Sequence, residues 1–229
     1  MTGDGSHYPR PDSWWQTFPI KGVTLYPWAT MKTEAVLERL SERDVNTVFV
    51  ITKESDGRVF YDSDLAPNQV PERDLLGELV SAADNHDLRI VPVFFALCDR
   101  YLLEQHPETV QVARDGTELQ YPNVSFEWMH WVCPNHDIVR DHLVGLAEEV
   151  AEYDIDGIRF AHTEFQPVRS GDAEHRSCFC EQCVQQHENC DDDRSWTDKR
   201  SSTITLLVAD LSEPFSDDPT IGVNLQRES

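Results

Sequence analysis

The chain alternates short apolar runs rich in β-branched residues with segments of helical periodicity, and this alternation constrains the fold more than any other feature. The apolar runs predict five strands, at Gly22–Trp28, Val45–Thr52, Leu88–Phe95, Ile155–Ala161 and Thr220–Leu225. The periodic segments predict helices at Lys32–Arg43, Pro71–His86, Asp137–Tyr153 and Thr197–Leu211. Strands that alternate with helices form βαβ units and a parallel sheet. The predicted fold class is therefore α/β.

Loop lengths favour one α/β architecture over another. The segments after strands 2, 3 and 4 are long, whereas only Asp44 or Asp87 separates a helix from the strand that follows it. This asymmetry is typical of a (β/α)8 barrel, whose active site is built from the loops after its strands. A doubly wound sheet usually has a glycine-rich turn after strand 1, but Pro27-Trp28-Ala29-Thr30 stands there. We therefore predict a (β/α)8 TIM-barrel type.

The predicted barrel is incomplete. A full (β/α)8 barrel typically needs about 250 residues, and the 229 residues here end four residues after strand 5. About five βα units are therefore expected in residues 19–229, behind an irregular arm at 1–18 and with a cysteine-rich loop at 164–193. The remaining strands are either absent, supplied by a second copy or another chain, or encoded in a separate reading frame.

The charge balance excludes two classes of partner. The chain has 42 Asp and Glu against 19 Lys and Arg, a formal net charge of −23. So acidic a surface argues against nucleic acids, which are bound through basic patches, and against anionic membranes. The N-terminus has no apolar signal segment. We expect a cytoplasmic protein from a salt-loving source, since salt screens carboxylate repulsion; an ordinary acidic mesophilic protein is the alternative.

A cysteine cluster predicts a metal site. Cys178, Cys180 and Cys183 form a Cys-x-Cys-x-x-Cys motif in the loop after strand 4, and Cys133 lies in the loop after strand 3. Zn²⁺ takes four tetrahedral ligands in structural sites, and neighbouring strands bring these two loops side by side. Four thiolates leave no open position for water, so a structural role is predicted. Alternatives for the fourth ligand are Cys98, Cys190, His175 and His187.

These motifs resemble a known family. The segment HWVCPNHDIVRD at 130–141, a strand ending near a glutamate, and CFCEQC at 178–183 resemble glycoside hydrolase family 42 β-galactosidases and related hypothetical glycosyl hydrolase barrels. The resemblance covers roughly Gly22 to Gln185. It implies that Cys133, Cys178, Cys180 and Cys183 bind a structural zinc ion.

The resemblance also implies a catalytic acid. Glycoside hydrolysis normally uses two carboxyl groups that flank the scissile bond. The acid/base glutamate of the family follows strand 4, and Glu164 matches that position, with Thr163 where the family usually has asparagine. A loop carboxylate that hydrogen-bonds Arg159 or His162 is the alternative role for Glu164. The nucleophile of the family follows strand 7, which lies beyond the strands predicted here.

Aromatic and polar residues cluster after the predicted strands. Sugars are bound by aromatic faces and by polar groups that fix the hydroxyls. The candidates for substrate binding are Tyr26, Trp28, Arg100, Trp128, His130, Trp131 and His162.

Three functional hypotheses follow from these features. The first is a glycoside hydrolase-like protein that acts on or binds carbohydrate, with a structural zinc site. The second is a truncated, non-catalytic barrel remnant. The third is a metal-binding module whose cysteine loop contacts a protein partner. A homo-oligomer or a second chain that completes the barrel fits the first hypothesis.

Overall fold

The computed structural model describes residues 19–119, 129–166, 178–188, 195–216 and 222–225. Its strands are β1 (Gly22–Leu25), β2 (Thr47–Lys53), β3 (Arg89–Phe95), β4 (Gly157–Ala161) and β5 (Gly222–Leu225). Its α-helices are α1 (Thr33–Ser41), α2 (Leu75–Ala83), α3 (Arg100–Gln105), α4 (Asp137–Ala151), α5 (Glu181–Glu188) and α6 (Trp196–Ser212). Short 3₁₀ turns follow α2, α3 and α6, at Asp84–His86, Pro107–Thr109 and Glu213–Phe215. The predicted arm at 1–18 lies outside the described residues.

The five strands form one parallel sheet in the order of the sequence, β1-β2-β3-β4-β5. A doubly wound sheet reverses its strand order at a switch point, and a barrel adds each strand beside the preceding one. The sequential order therefore confirms the barrel type, with five βα-type strands in the described residues. All carboxyl ends of the strands meet at one edge of the sheet, so the segments after them are neighbours.

The two faces of the sheet differ in what they contact. Phe94 of β3 packs edge-on against Phe160 of β4, and Phe160 contacts Phe215 in the turn after α6. Residues of this parity face the helices and belong to the main apolar core. Successive strand residues point to opposite faces, so the other parity faces the barrel interior. There the Arg159 guanidinium lies 5.7 Å from the centre of the Phe49 ring.

The start of one predicted helix was wrong. We predicted a helix from Pro71, but α2 begins at Leu75 because the Asp74 side chain caps it, accepting a hydrogen bond from the Gly77 N–H at 2.9 Å. The predicted cysteine-rich loop also contains a helix, α5, which begins directly after Cys180. Among the residues described, no helix combines the length and the apolar character that a membrane span requires.

Candidate active site and metal centre

Four buried cysteine side chains converge at the carboxyl end of the sheet. The Sγ atoms of Cys133, Cys178, Cys180 and Cys183 all lie within 4.8 Å of one another. The Sγ atom of Cys133 is 3.4 Å from that of Cys183 and 3.7 Å from that of Cys180. All four residues are free thiols rather than disulfides. The cluster joins the loop after β3, which carries Cys133, to the segment after β4.

The spacing of the sulfur atoms fits a tetrahedral metal ion. A Zn–S bond of about 2.3 Å places the ligand sulfurs of a tetrahedron roughly 3.8 Å apart, close to the two separations above. Burial, and then hydrogen bonds with the other three thiols, raise the pKa of Cys133 far above its ordinary value. A bound cation would offset the electrostatic repulsion among several neighbouring thiolates. The four residues are therefore positioned to bind a metal ion.

Neighbouring groups support the sulfur atoms. The Asn135 Nδ2 group donates to Cys183 Sγ at 3.1 Å, and its Oδ1 atom accepts a hydrogen bond from Thr203 of α6 at 2.9 Å. The His136 Nε2 atom lies 3.6 Å from Cys180 Sγ. Such second-layer contacts orient metal ligands and tune the metal. They also connect the cluster to α6.

The alternative fourth ligands do not join this cluster as far as the structure describes them. Cys98 is buried in the main apolar core, while the four clustered cysteines pack with Phe165 in a separate one. Cys190 and His175 lie outside the described residues, as does the side chain of His187.

Glu164 lies beside the cysteine cluster, three residues after the end of β4. Its side chain is 30% exposed, but the Oε1 atom is buried and lies 3.7 Å from His162 Nδ1. His162 has a positive φ of 52°, unusual for a residue with a side chain. Its ring packs edge-on against Phe95 and Trp131, with centroid separations of 4.9 and 5.8 Å. The packed imidazole therefore flanks the glutamate on one side.

The next two residues attach Glu164 to the cysteine cluster. Phe165 is buried among the four cysteines. The Gln166 N–H donates to Gln111 Oε1 at 3.0 Å, and Gln111 Nε2 donates to the Val132 carbonyl at 2.9 Å, one residue before Cys133. The four clustered cysteines and the candidate acid thus share one continuous set of contacts.

The predicted sugar-binding residues occupy different depths. Tyr26 and Trp28 follow β1 and are 53% and 46% exposed. Trp131 is fully buried against His162, so in this structure it supports the imidazole. Arg100 is exposed at the start of α3 and pairs with Glu104 at 2.8 Å. The His130 carbonyl accepts a hydrogen bond from the Asp99 N–H, which places His130 at the same end of the sheet. Trp128 lies outside the described residues.

Sequence reasoning missed one acidic residue at this edge. Glu54 directly follows β2, and its carboxylate is close enough to Tyr26 to raise the pKa of that phenol, after the larger effect of partial burial. Partial burial also raises the pKa of Glu54 itself above the ordinary range, and Asp56 adds to this effect. The available signal was an acidic residue shortly after the end of a predicted strand, where Glu164 also lies.

A second missed feature is a buried charged group behind Glu54. The Lys53 ammonium lies 3.0 Å from Asp99 Oδ2, and the His142 Nε2 atom lies 3.3 Å from the same oxygen. Burial alone would raise the pKa of Asp99, but Lys53 and His142 together lower it to about 2. This group belongs to the helix side of the sheet and holds the loops after β2 and β3 together.

A family comparison agrees with this architecture. The model of the family described as hypothetical glycosyl hydrolase 6 matches residues 32–161, more than half of the chain. The chain belongs to the hypothetical glycosyl hydrolase 6 family. The matched residues include Cys133 and end at Ala161, so Glu164 and the other three clustered cysteines follow the match. A search of curated protein sequences finds no match.

Solved structures with the same fold include several glycoside hydrolases. α-L-Fucosidase isoenzyme 2 from Paenibacillus thiaminolyticus has a TM-score of 0.71 at 18% identity, over 91% of this chain and 32% of that one. A hypothetical protein from Ruminiclostridium thermocellum has a TM-score of 0.62 at 15% identity, over 89% of this chain and 96% of that one. The PgaB (BpsB) glycoside hydrolase domain from Bordetella bronchiseptica has a TM-score of 0.63 at 10% identity, over 90% of this chain and 65% of that one.

These comparisons confirm the predicted superfamily. The family model and the shared fold both identify a glycoside hydrolase-type barrel, as the sequence resemblance implied. This member of the hypothetical glycosyl hydrolase 6 family spans about one third of the length of the fucosidase that it resembles.

Proposed function

We propose that this protein acts on carbohydrate as a glycoside hydrolase, with Glu164 as the general acid/base. The observation that carries the proposal is the partly exposed Glu164 side chain, whose Oε1 atom lies 3.7 Å from His162 Nδ1 at the carboxyl end of β4. In barrels of this type, chemistry takes place at that end of the strands. A carboxyl group there can hold a proton at the glycosidic oxygen while the aglycone leaves.

The position of Glu164 depends on its neighbours in this proposal. The His162 ring packs edge-on against both Phe95 and Trp131. These contacts restrict the orientation of the imidazole next to the Glu164 carboxylate. On the other side, Phe165 and Gln166 fix the backbone. Catalytic groups need such support, because a displacement of about 1 Å can cost 100-fold in rate.

The bound metal is proposed to be a structural zinc ion. Four sulfur ligands suit Zn²⁺ better than Mg²⁺ or Ca²⁺, which prefer oxygen. When bound, the ion neutralises the thiolates of Cys133, Cys178, Cys180 and Cys183 and joins the loops after β3 and β4. Its contribution to function is therefore indirect, through the backbone that carries Glu164.

The remaining roles are proposals of the same kind. Tyr26, Trp28, Arg100, Trp128, His130 and His162 are proposed to contact the sugar, with Trp131 supporting His162. A cytoplasmic, high-salt setting fits the net charge of −23.

The test compares substrates that differ only in leaving group. General acid catalysis matters most for a poor leaving group, so Glu164→Gln should lower the hydrolysis of a methylumbelliferyl glycoside by about 100-fold or more. The same variant should affect the corresponding 2,4-dinitrophenyl glycoside much less. Glu38→Gln, which makes the same change on the exposed surface of α1, serves as the control.

Two outcomes would count against this proposal. Equal losses on both substrates, or no loss on either, would remove Glu164 from acid/base chemistry. Sugar binding by the wild-type chain without hydrolysis of any tested glycoside would instead favour a non-catalytic carbohydrate-binding barrel.

A further inference from the structure

The segments after β1 and β2 place two exposed aromatic residues and a carboxylate at the same edge of the sheet. Glu54 is half-buried and directly follows β2, Tyr26 directly follows β1, and these two strands are parallel neighbours in the sheet. Trp28 lies two residues further along the chain. An aromatic face covers the apolar C–H side of a sugar, and a nearby carboxylate accepts hydrogen bonds from its hydroxyls. The three residues therefore combine the two kinds of contact that a sugar ring needs.

A rigid turn holds Glu54 in place. The Glu54 N–H donates to the Arg58 carbonyl at 2.8 Å, and the Gly57 N–H donates to the Glu54 carbonyl at 3.1 Å. Gly57 has a positive φ of 85°, and a Cβ atom there would clash with Asp99 Oδ1. The turn is thus packed directly against a buried aspartate, and the carboxylate of Glu54 starts from a fixed backbone.

The same turn is tied to α3. The Tyr101 N–H donates to the Asp56 carbonyl at 3.0 Å. Asp99 also caps α3 by accepting a hydrogen bond from the Leu102 N–H at 2.7 Å. Preorganised contacts of this kind are typical of specificity-determining positions, because ligand binding then costs little ordering entropy.

Glu54 lies within reach of a ligand held at Glu164. The two residues follow β2 and β4, and only β3 separates those strands. Neighbouring strands lie about 4.8 Å apart, so the two strand ends are separated by roughly 10 Å. Across this interval the side chains already meet in the barrel interior, where Arg159 of β4 stacks over Phe49 of β2. One or two sugar rings span such a distance.

The charge at this position selects against acidic sugars. Lys53, which precedes Glu54 in the chain, donates to the Phe95 carbonyl at 2.8 Å and the Cys98 carbonyl at 3.0 Å, and it pairs with Asp99. An ammonium group has three N–H donors, so this one is fully engaged. A uronate at Glu54 would face a carboxylate with no available cation from Lys53, whereas neutral hydroxyls would be accepted.

We propose that Glu54, Tyr26 and Trp28 form a subsite for a neutral sugar residue, in which Glu54 binds hydroxyl groups and rejects uronic acids. The inference rests on the proposed function, since it concerns the same edge of the barrel. It assigns specificity to a residue outside the acid/base chemistry of Glu164.

The experiment uses saturation-transfer NMR on the full 229-residue chain. The probes are two matched pairs, D-galactose with D-galacturonate and D-glucose with D-glucuronate, at concentrations that detect millimolar affinity. The wild-type chain should bind at least one neutral sugar and prefer it to its uronate. Glu54→Gln should lower the affinity for the neutral sugar by about 10-fold, which corresponds to the loss of one charge-assisted hydrogen bond. The same variant should reduce the ratio of the affinity for the neutral sugar to that for its uronate.

Two further variants make the result specific. Tyr26→Ala removes an exposed ring and should lower the affinity for the neutral sugar. It should leave the ratio of the affinities for the neutral sugar and its uronate unchanged. Glu38→Gln on α1 should change neither quantity, and circular dichroism verifies that each variant is folded.

Each remaining outcome has a defined meaning. If the wild type and Glu54→Gln bind a neutral sugar equally well, the subsite is overturned and the proposed function stands. Preferential binding of a uronate overturns the subsite in the same way. If none of the four sugars binds the wild-type chain, the subsite is overturned, and the hydrolysis test with Glu164→Gln decides the proposed function separately.

Discussion

Lys53 and Asp99 form a fully buried ion pair, with Lys53 Nζ 3.0 Å from Asp99 Oδ2. One residue ends β2 and the other begins the helix that follows β3. Taking two charges out of water is costly, and the cost is offset only when the remaining hydrogen bonds are also made. Here the Lys53 ammonium also donates hydrogen bonds to two backbone carbonyls, and the Asp99 carboxylate accepts one from the Leu102 N–H. The pair thus fixes the geometry of the two loops beside Glu54.

Removing the charge of Asp99 should destabilise the fold strongly. Asp99→Asn leaves Lys53 buried without its counter-charge, so we expect a loss of about 3–5 kcal/mol in the free energy of unfolding. Glu104→Gln breaks the exposed pair with Arg100 and should cost less than about 1 kcal/mol. Urea unfolding measures both. Similar losses in the two variants would mean that the buried pair has no special role.

The same aspartate predicts how stability depends on pH. The pKa of Asp99 is about 2 in the folded chain, below the value of about 3.9 for an unfolded aspartate. The unfolded state therefore binds the proton more readily, and the stabilisation of about 2 kcal/mol is complete above pH 4 and is lost as the pH falls toward 2. The difference in unfolding free energy between wild type and Asp99→Asn should shrink over that window. A constant difference would contradict the assignment.

Two glycines with the same backbone conformation should respond differently to alanine. Gly57 and Gly116 have φ values of 85° and 83°. A Cβ atom added at Gly57 would clash with Asp99, whereas a Cβ atom added at Gly116 would have no other atom within 4 Å. Gly116→Ala should cost about 1 kcal/mol for the left-handed conformation alone. Gly57→Ala should cost clearly more, because it also displaces Asp99. Thermal unfolding of the pair tests this, and equal losses would exclude the contact as the cause.

The sequence predicted the fold better than it predicted the site. Strand positions followed from β-branched runs, since a strand buried on both faces has a continuous apolar pattern. The cysteine cluster was predictable because sulfur ligands are few and their spacing is distinctive. The Lys53–Asp99 pair could not be predicted, because the two residues are 46 positions apart in sequence and meet only when β2 and β3 pair. Glu54 was missed because its only signal, an acidic residue shortly after a predicted strand, is weak in a chain with 42 acidic residues.

Metal content should depend on the four clustered cysteines and not on Cys98. The purified chain should contain about one equivalent of zinc, and Cys178→Ser should reduce both the zinc content and the unfolding temperature. Cys98→Ala removes a buried thiol of the main core and should retain the metal while lowering stability. Elemental analysis by mass spectrometry gives the metal content. Less than about 0.3 equivalents in the wild type, with freely titratable thiols, would reject the site.

Stability should rise with salt concentration. The formal charge of −23 makes the folded chain repel itself, and the Debye length falls from about 10 Å at 0.1 M salt to 3 Å at 1 M. Potassium chloride at 2 M should therefore raise the unfolding temperature by several degrees over that at 0.1 M. The double variant Glu38→Gln and Glu42→Gln, at two exposed positions, should reduce this dependence. The Lys53–Asp99 pair is shielded from the solvent, so its contribution should not change. An unfolding temperature that is indifferent to potassium chloride would contradict adaptation to high salt and favour an ordinary acidic protein.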